Sequence, residues 1–461
     1  MLLRLWILML MSTVLQAQVS RDSIELEKLI LQIDSLNYWA SLEIDQKKYT
    51  EAVENSTQAL LINMKGREKK NILSKEGLQD LPNYEYISSV KLEGTFRHLY
   101  AGLKGKYQAE QHVKHLSLIH ELNQAQLIIY HQRYLNSSSG LQKWYIDKYE
   151  SLWAQSIEDA KLLELIISSP NLWSDAFDQL QLLKEMRLDY AQKNGLPLWF
   201  NLEDLPGLDK IFMQSYTAGG KRHSASELRV LLDDKTAILD FYLIGEKLQL
   251  FYLDHKTIGT YEQFVALDQL KKDIAALHKA LEQPLLTELD TSYAIAAKRL
   301  YKVLLGTLVQ ESRGIERFVI CPNRELAQVP FEVLLMKDAD NKDSYDSLKY
   351  LVKSYGISYS YSSSMISDTL SLLKMDDLAH GAVSKTYKHY KSEGKRGLLA
   401  LQQAKVDYLE GEEHPHPAYW KGWMRLGYQK KAAKPAEGRS FWPFLIGILC
   451  LGGLTYWAQK K

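Results

Sequence analysis

Cysteine is almost missing from this chain: its 461 residues hold two, Cys321 and Cys450. A single pair so far apart builds no disulfide framework, so the body must be held together by packing. Charge of one sign is lacking as well. Fifty-seven Lys and Arg face 56 Asp and Glu, a net charge of +1, which offers no global attraction to nucleic acid or to an acidic membrane surface. What is present is apolar content of 46% over a length sufficient for two or three domains with cores of their own.

Long apolar runs occur only at the two ends. Arg4, the stretch Leu5 to Leu15 and the small residue in Gln16-Ala17-Gln18 read as a secretory signal over residues 1–17. Phe441 to Trp457 passes 17 residues without a charge, between Trp442 and Trp457, and Lys460-Lys461 follow. At about 1.5 Å per residue this run covers roughly 25 Å, a short transmembrane helix. Residues 429–440 form the linker before it. Together the ends predict an exported protein, anchored in a membrane by its C-terminal helix, with the body on the non-cytoplasmic side.

From residue 20 to about 200, apolar residues recur at spacings of three and four with little β-branched clustering, which predicts helices and no strands. Leu36, Trp39, Ala40, Tyr49, Ala52 and Ala59 have the spacing of a helix-turn-helix repeat, in which the alanines allow close approach and Tyr49 fills the gap near the turn. This resembles one tetratricopeptide repeat. A weaker echo at Gly105 to Ala109 is offset by 58 residues from Tyr49, not by a repeat period, so the array is degenerate and an ordinary helical domain stays open as the other reading.

Beyond the Gly- and Pro-punctuated stretch 195–220 the texture changes. Ala237 to Tyr242 and Leu248 to Leu253, joined at Gly245-Glu246, predict a β-hairpin. Leu300, Val303, Leu304 and Leu308 stripe a helix that leads into Phe318-Val319-Ile320-Cys321, a buried strand stopped by Pro322. This half is therefore expected to be mixed α/β.

The run FVICPNRELAQVPFEVLL (318–335), with Tyr350-Leu351-Val352 and the Tyr/Ser-rich 355–362, resembles the N-terminal half of a CHAT domain, a family related to caspase-like cysteine peptidases. In that pattern Pro330 opens a helix, Phe331 packs back on the sheet and Glu332 sits where a helix dipole favours an acid. Val383 to Tyr390, Ala400 to Leu409 and His414 to Trp420 with Leu426-Gly427 are similar to the family's last elements, and Glu158 to Leu165 to its joining helix.

The resemblance also implies a histidine base and a cysteine nucleophile between the Tyr/Ser-rich strand and the final helices. Only 22 residues, Met365 to Thr386, lie there. A βαβ unit needs about 30, and no cysteine occurs between Cys321 and Cys450. Cys321, at the end of an apolar strand, reads as a buried thiol. His380-Gly381 echoes a catalytic His-Gly pair but has no nucleophile to serve. Glu412, Glu413, His414 and His416 carry donor atoms for zinc without the helical spacing of common sites, and read better as a capping turn. Gly381 to Thr386 lacks the glycine that a phosphate loop places before Lys385.

The expectation is a degenerate tetratricopeptide-like helical region (20–200), then a truncated caspase-like α/β domain (221–428) without its catalytic segment. No catalytic, cofactor-binding or metal residue is assigned, and no cofactor. A protein partner and the membrane are expected, nucleic acid is not. The alternative is a cysteine peptidase whose catalytic segment is missing from this reading of the gene or replaced. A sheet stripped of central strands would leave a bare edge and bare apolar faces.

Overall fold

The structure is a computed structural model that describes residues 2–64, 72–167, 171–196, 222–283, 289–340, 343–365, 371–374, 381–393, 397–411, 415–421 and 423–426. Its first half is helical: α1 (Leu2–Asp45), α2 (Tyr49–Asn63), the short α3 (Lys75–Gln79), α4 (Ser89–Glu110), α5 (Val113–Leu135), α6 (Ser139–Glu164) and α7 (Asn171–Asn194). Among the described residues of this half, the only β pairing is an isolated bridge, Met64 with Tyr86.

Small residues let α1, α2 and α4 pack closely, since Ala40, Ala52 and Ala59 are fully buried. The Tyr49 ring lies flat on the backbone of α4 at Gly105, where an added Cβ would fall 2.2 Å from a ring carbon. So the two segments that sequence spacing could only call a repeat and its echo are packed against each other. Trp39 departs from the repeat reading, as it is half exposed rather than inserted between helices. We expect Gly105→Ala to lose about 1–3 kcal/mol by overpacking, read as a lower urea midpoint with an unchanged slope; a loss under 0.5 would show that Tyr49 does not sit there.

Buried polar groups stitch the helices in sequence. Asn63 exchanges two hydrogen bonds with the Ser88 backbone, tying the end of α2 to the start of α4. Asp159 of α6 accepts from Lys104 and Tyr100 of α4 and from Asn123 of α5, so one carboxylate, 1% exposed, joins three helices.

The second half builds a seven-stranded sheet in the order β3-β2-β1-β4-β5-β7-β6, from β1 (Thr236–Ile244), β2 (Lys247–Leu253), β3 (Ile258–Phe264), β4 (Arg317–Cys321), β5 (Gly356–Tyr359), β6 (Ser371–Lys374) and β7 (Trp423–Leu426). β1 and β2 are the expected hairpin, with Gly245 at φ +56° in the two-residue turn where only glycine is unstrained. β1, β4, β5 and β7 are parallel, and β4 is the expected buried strand, with all five residues covered. Helices α8 (Ala225–Leu231), α9 (Leu267–Leu281), α10 (Thr291–Leu304), α11 (Gly306–Glu311), α12 (Gly381–Ser392) and α13 (Gly397–Gly411) complete this half.

Side chains alternate along each strand, and each set has its own cover. Leu239, Phe241, Phe318, Ile320, Ile357 and Tyr359 face a core closed by α9, α10 and α13. Ile238, Tyr242, Phe251, Leu253, Val319 and Cys321 face Tyr149, Trp153 and Ile157 of α6 and Phe177 and Leu180 of α7. Thus α6 and α7, which precede residue 200, form one wall of the sheet built after residue 221.

Two further expectations are corrected. Both faces of β1, β4 and β5 are covered, and the far edge of β5 is paired with β7, on which the short interval after residue 365 lays β6 as a last antiparallel strand. Pro330 opens no α-helix: Phe331–Val333 is a single 3-10 turn. Glu332 is drawn instead into a buried ion pair with Lys405 of α13 at 3.1 Å, each side chain 2% exposed. Tyr359 Oη donates to Glu332 and accepts from the Phe331 N–H at 3.0 Å. Burial holds the Lys405 ammonium below the usual lysine range, and Glu332 acts against that shift.

Among the described residues no helix is long and apolar enough to cross a membrane. The expected span at 441–457 and its linker lie outside the described residues. The segment read as a signal begins the continuous helix α1.

Candidate functional site

In a parallel sheet the chemistry of a site is usually built beyond the carboxyl ends of the strands. Here β4 ends at Cys321, level with Asp240 of β1, and β5 runs on through Ser360 to Ser364. Beyond them passes α7, whose buried face presents Gln181, Lys184 and Glu185. Every one of these side chains is buried, Lys184 and Asp240 to within 1%.

The cluster is closed by hydrogen bonds. Lys184 Nζ donates to Asp240 Oδ1 at 2.6 Å, to the Cys321 carbonyl at 3.3 Å and to the Tyr361 carbonyl at 3.4 Å, which uses all three of its donors. Asp240 Oδ2 accepts from Gln181 Nε2 at 3.0 Å and from Ser363 Oγ at 2.5 Å. Ser362 Oγ donates to Gln181 Oε1 at 2.7 Å, and Ser364 Oγ to Glu185 Oε1 at 3.1 Å. The Tyr/Ser alternation after β5 acquires a reason: the tyrosines 359 and 361 enter the apolar core, while Ser363 and Ser364 satisfy the carboxylates brought by β1 and α7 and Ser362 the Gln181 amide.

Cys321 sits inside this network, with Ser363 Oγ 3.4 Å from its sulfur. Burial pushes the thiol up to about 12, with the Asp240 charge adding to the effect and Lys184 and Ser363 opposing it. A nucleophilic cysteine needs an imidazole or another cation that favours the thiolate. At Cys321 the cation is spent on Asp240, and among the described residues no histidine is hydrogen-bonded to the sulfur. The arrangement closes the sheet end over Cys321 and disfavours its thiolate.

The other residues weighed in the sequence fall elsewhere. His380, Glu412, Glu413, His414 and Cys450 lie outside the described residues. His416 is 3% exposed, its Nδ1 accepts the Ala418 N–H at 3.2 Å, and its ring meets Tyr345 edge-on at 4.6 Å. It is the cap of a 3-10 turn, and burial lowers its imidazole to about 4. Among the described residues no group of His, Cys, Asp and Glu is placed to hold a metal ion. Lys385 and Thr386 stand inside α12, which is helical from Gly381, so no phosphate-cradling loop forms there.

Sequence reasoning did not find Lys184, Asp240, Gln181 or Glu185. A signal existed: Asp240 interrupts the apolar run AILDFY, and Lys184-Glu185 interrupt LQLLKEM. A charge inside a buried pattern calls for a partner, but a separation of 56 positions between Lys184 and Asp240 gave no way to match them.

A comparison with curated proteins finds no match to the chain. The stretch from α10 to β6, residues 294–374, matches a family model described as CHAT domain. That stretch contains β4, the Pro330-Phe331-Glu332 turn and the serine-lined end of β5, and stops before α12 and α13. Over residues 294–374 the chain is therefore similar to a CHAT domain, a similarity that suggests kinship to caspase-like peptidases.

Proposed function

We propose that this protein is a catalytically incomplete CHAT relative that acts through protein-protein interaction at a cell envelope membrane. The observation that carries the reading is the setting of Cys321: fully buried and enclosed by Lys184, Asp240 and Ser363 at the sheet end, where burial disfavours the thiolate and catalysis would require an exposed one. The leader-like residues 1–17 and the apolar run 441–457 support export and anchoring. For interaction with a partner, the helical half offers a cleft of about 500 Å³ between α3, α5 and the start of α7. Leu118, Leu163 and Leu172 form its apolar floor, and Lys75, Glu121 and Asp175 its charged rim.

The test is labelling of the folded full chain with a thiol-reactive, caspase-type probe. No labelling is expected at neutral pH, with Cys321 becoming reactive only on denaturation. Labelling of folded protein that Cys321→Ala abolishes would overturn the reading in favour of a peptidase.

A further inference from the structure

At the end of the sheet opposite β6, β3 has a strand on one side only among the described residues. Which of its backbone groups face outward follows from the ladder. The Val265 N–H donates to Glu246 and the Asp254 N–H to Thr257, so the odd-numbered residues of β3 bond to β2. The N–H and C=O groups of Ile258, Thr260, Glu262 and Phe264 therefore point away from the sheet. Natural edges are blunted by proline, by unpaired charges, lysine above all, or by a bulge. The stretch Ile258–Phe264, IGTYEQF, has no proline, lysine or bulge, its register with β2 is unbroken over seven residues, and its one charge, Glu262, is spent on Lys161 and Lys247. Phe264 is 73% exposed.

We propose that β3 pairs antiparallel with β3 of a second copy of this chain, joining two seven-stranded sheets across a two-fold axis at Tyr261. The side chains select both the occupant and the register. Centred on Tyr261, the outward groups of the two strands meet in phase, Ile258 faces Phe264 of the other copy, and Thr260 faces Glu262. Two neighbouring registers would also bring outward groups together. One sets Glu262 against Glu262, a like-charge pair that opposes association. The other sets Ile258 against Glu262 and moves Phe264 onto Lys256 in the turn. Only the register at Tyr261 gives apolar residues apolar partners and leaves no like charges opposed. Ile258, Thr260, Glu262 and Phe264 all lie on the side of the sheet covered by α6, where Glu262 is held by Lys161 and by Lys247 at 3.3 Å.

The test is disulfide trapping of the full chain in mild detergent, with Cys450→Ala as background and Cys321 left in its core. In a non-hydrogen-bonded pair the two Cα atoms lie about 4.5 Å apart, within disulfide range. Tyr261→Cys is expected to give a band of twice the mass on mild oxidation. Gln263→Cys lies opposite Gly259 of the other copy, about 13 Å from its own counterpart at 3.3 Å per residue, and is expected to stay monomeric. Equal trapping of both variants, or of neither, overturns the proposal. Sedimentation of the unsubstituted chain is the second measurement: a dimer at micromolar concentration is expected, which Phe264→Lys converts to monomer with an unchanged circular dichroism spectrum. A monomeric unsubstituted chain overturns the proposal equally.

Discussion

Lys184→Met is expected to cost about 3–5 kcal/mol of folding stability, because it leaves the Asp240 carboxylate buried without its cation. Asp240 is 0% exposed, and its remaining donors are Gln181 and Ser363, both uncharged. The substitution keeps the length of the side chain, so the loss reports on charge rather than on a cavity. Adding Asp240→Asn to Lys184→Met should recover part of it, since an amide at that position can be hydrogen-bonded without carrying a charge into the core. Urea denaturation of the two variants beside the parent decides the matter. A loss below 1 kcal/mol for Lys184→Met would mean that the pair is reached by water and that the sheet end is open. The readout bears on function, because the same ion pair encloses Cys321.

Trp153→Ala is the second large effect, with an expected loss of about 3–5 kcal/mol from the removal of a fully buried indole. Its ring meets Tyr242 of β1 edge-on at 5.1 Å and Phe251 of β2 at 6.2 Å, and its Nε1–H donates to the Ala176 carbonyl at 2.9 Å. This one residue of α6 therefore touches the sheet and α7 together. The same contact predicts that residues 221–428 expressed alone will not unfold cooperatively, because Tyr242, Phe251, Leu253 and Val319 would be left facing water. A sharp, two-state melt of that segment would show that α6 and α7 are dispensable and that the helical half is a separate domain after all.

Both predictions rest on a feature of the fold that the sequence pattern hides. Periodicity in α6 and α7 announces that a face is buried, but not against what. Tyr149, Trp153, Phe177 and Leu180 read equally well as the inside of a helical array. They serve here as the cover of a β-sheet whose strands begin more than 50 residues further along the chain and include β4, well over 100 residues on. The polar residues were hidden for the same reason. Glu332 in Pro-Phe-Glu looked like the acid of a helix N-terminus, and the helix is absent: the chain makes one 3-10 turn so that Glu332 can reach Lys405, 73 residues away. Where a charge is buried, its partner is decided by topology, and local propensity yields.

The expected truncation shows what chain length can and cannot establish. The interval after residue 365 is too short for a further βαβ unit, and its described residues build none. It supplies β6, while β7, drawn from beyond α13, takes the place beside β5. A strand needs only a partner with free backbone groups, wherever in the chain that partner lies.

By itself the sequence determined the elements that depend on local order. The hairpin at Gly245 follows from a residue free to take positive φ between two apolar runs. The helices up to Asn194 follow from spacing, the close approach at Ala40, Ala52 and Ala59 from small side chains, and the kinship to CHAT domains from a contiguous string of residues between 318 and 362. Tertiary structure alone decided that α6 and α7 wall the sheet, that Lys184 neutralises Asp240, and that Cys321 is enclosed among them. Those outcomes depend on groups distant in the chain meeting in a space without water. There an unpaired charge or a bare apolar face costs more than any local preference can offset.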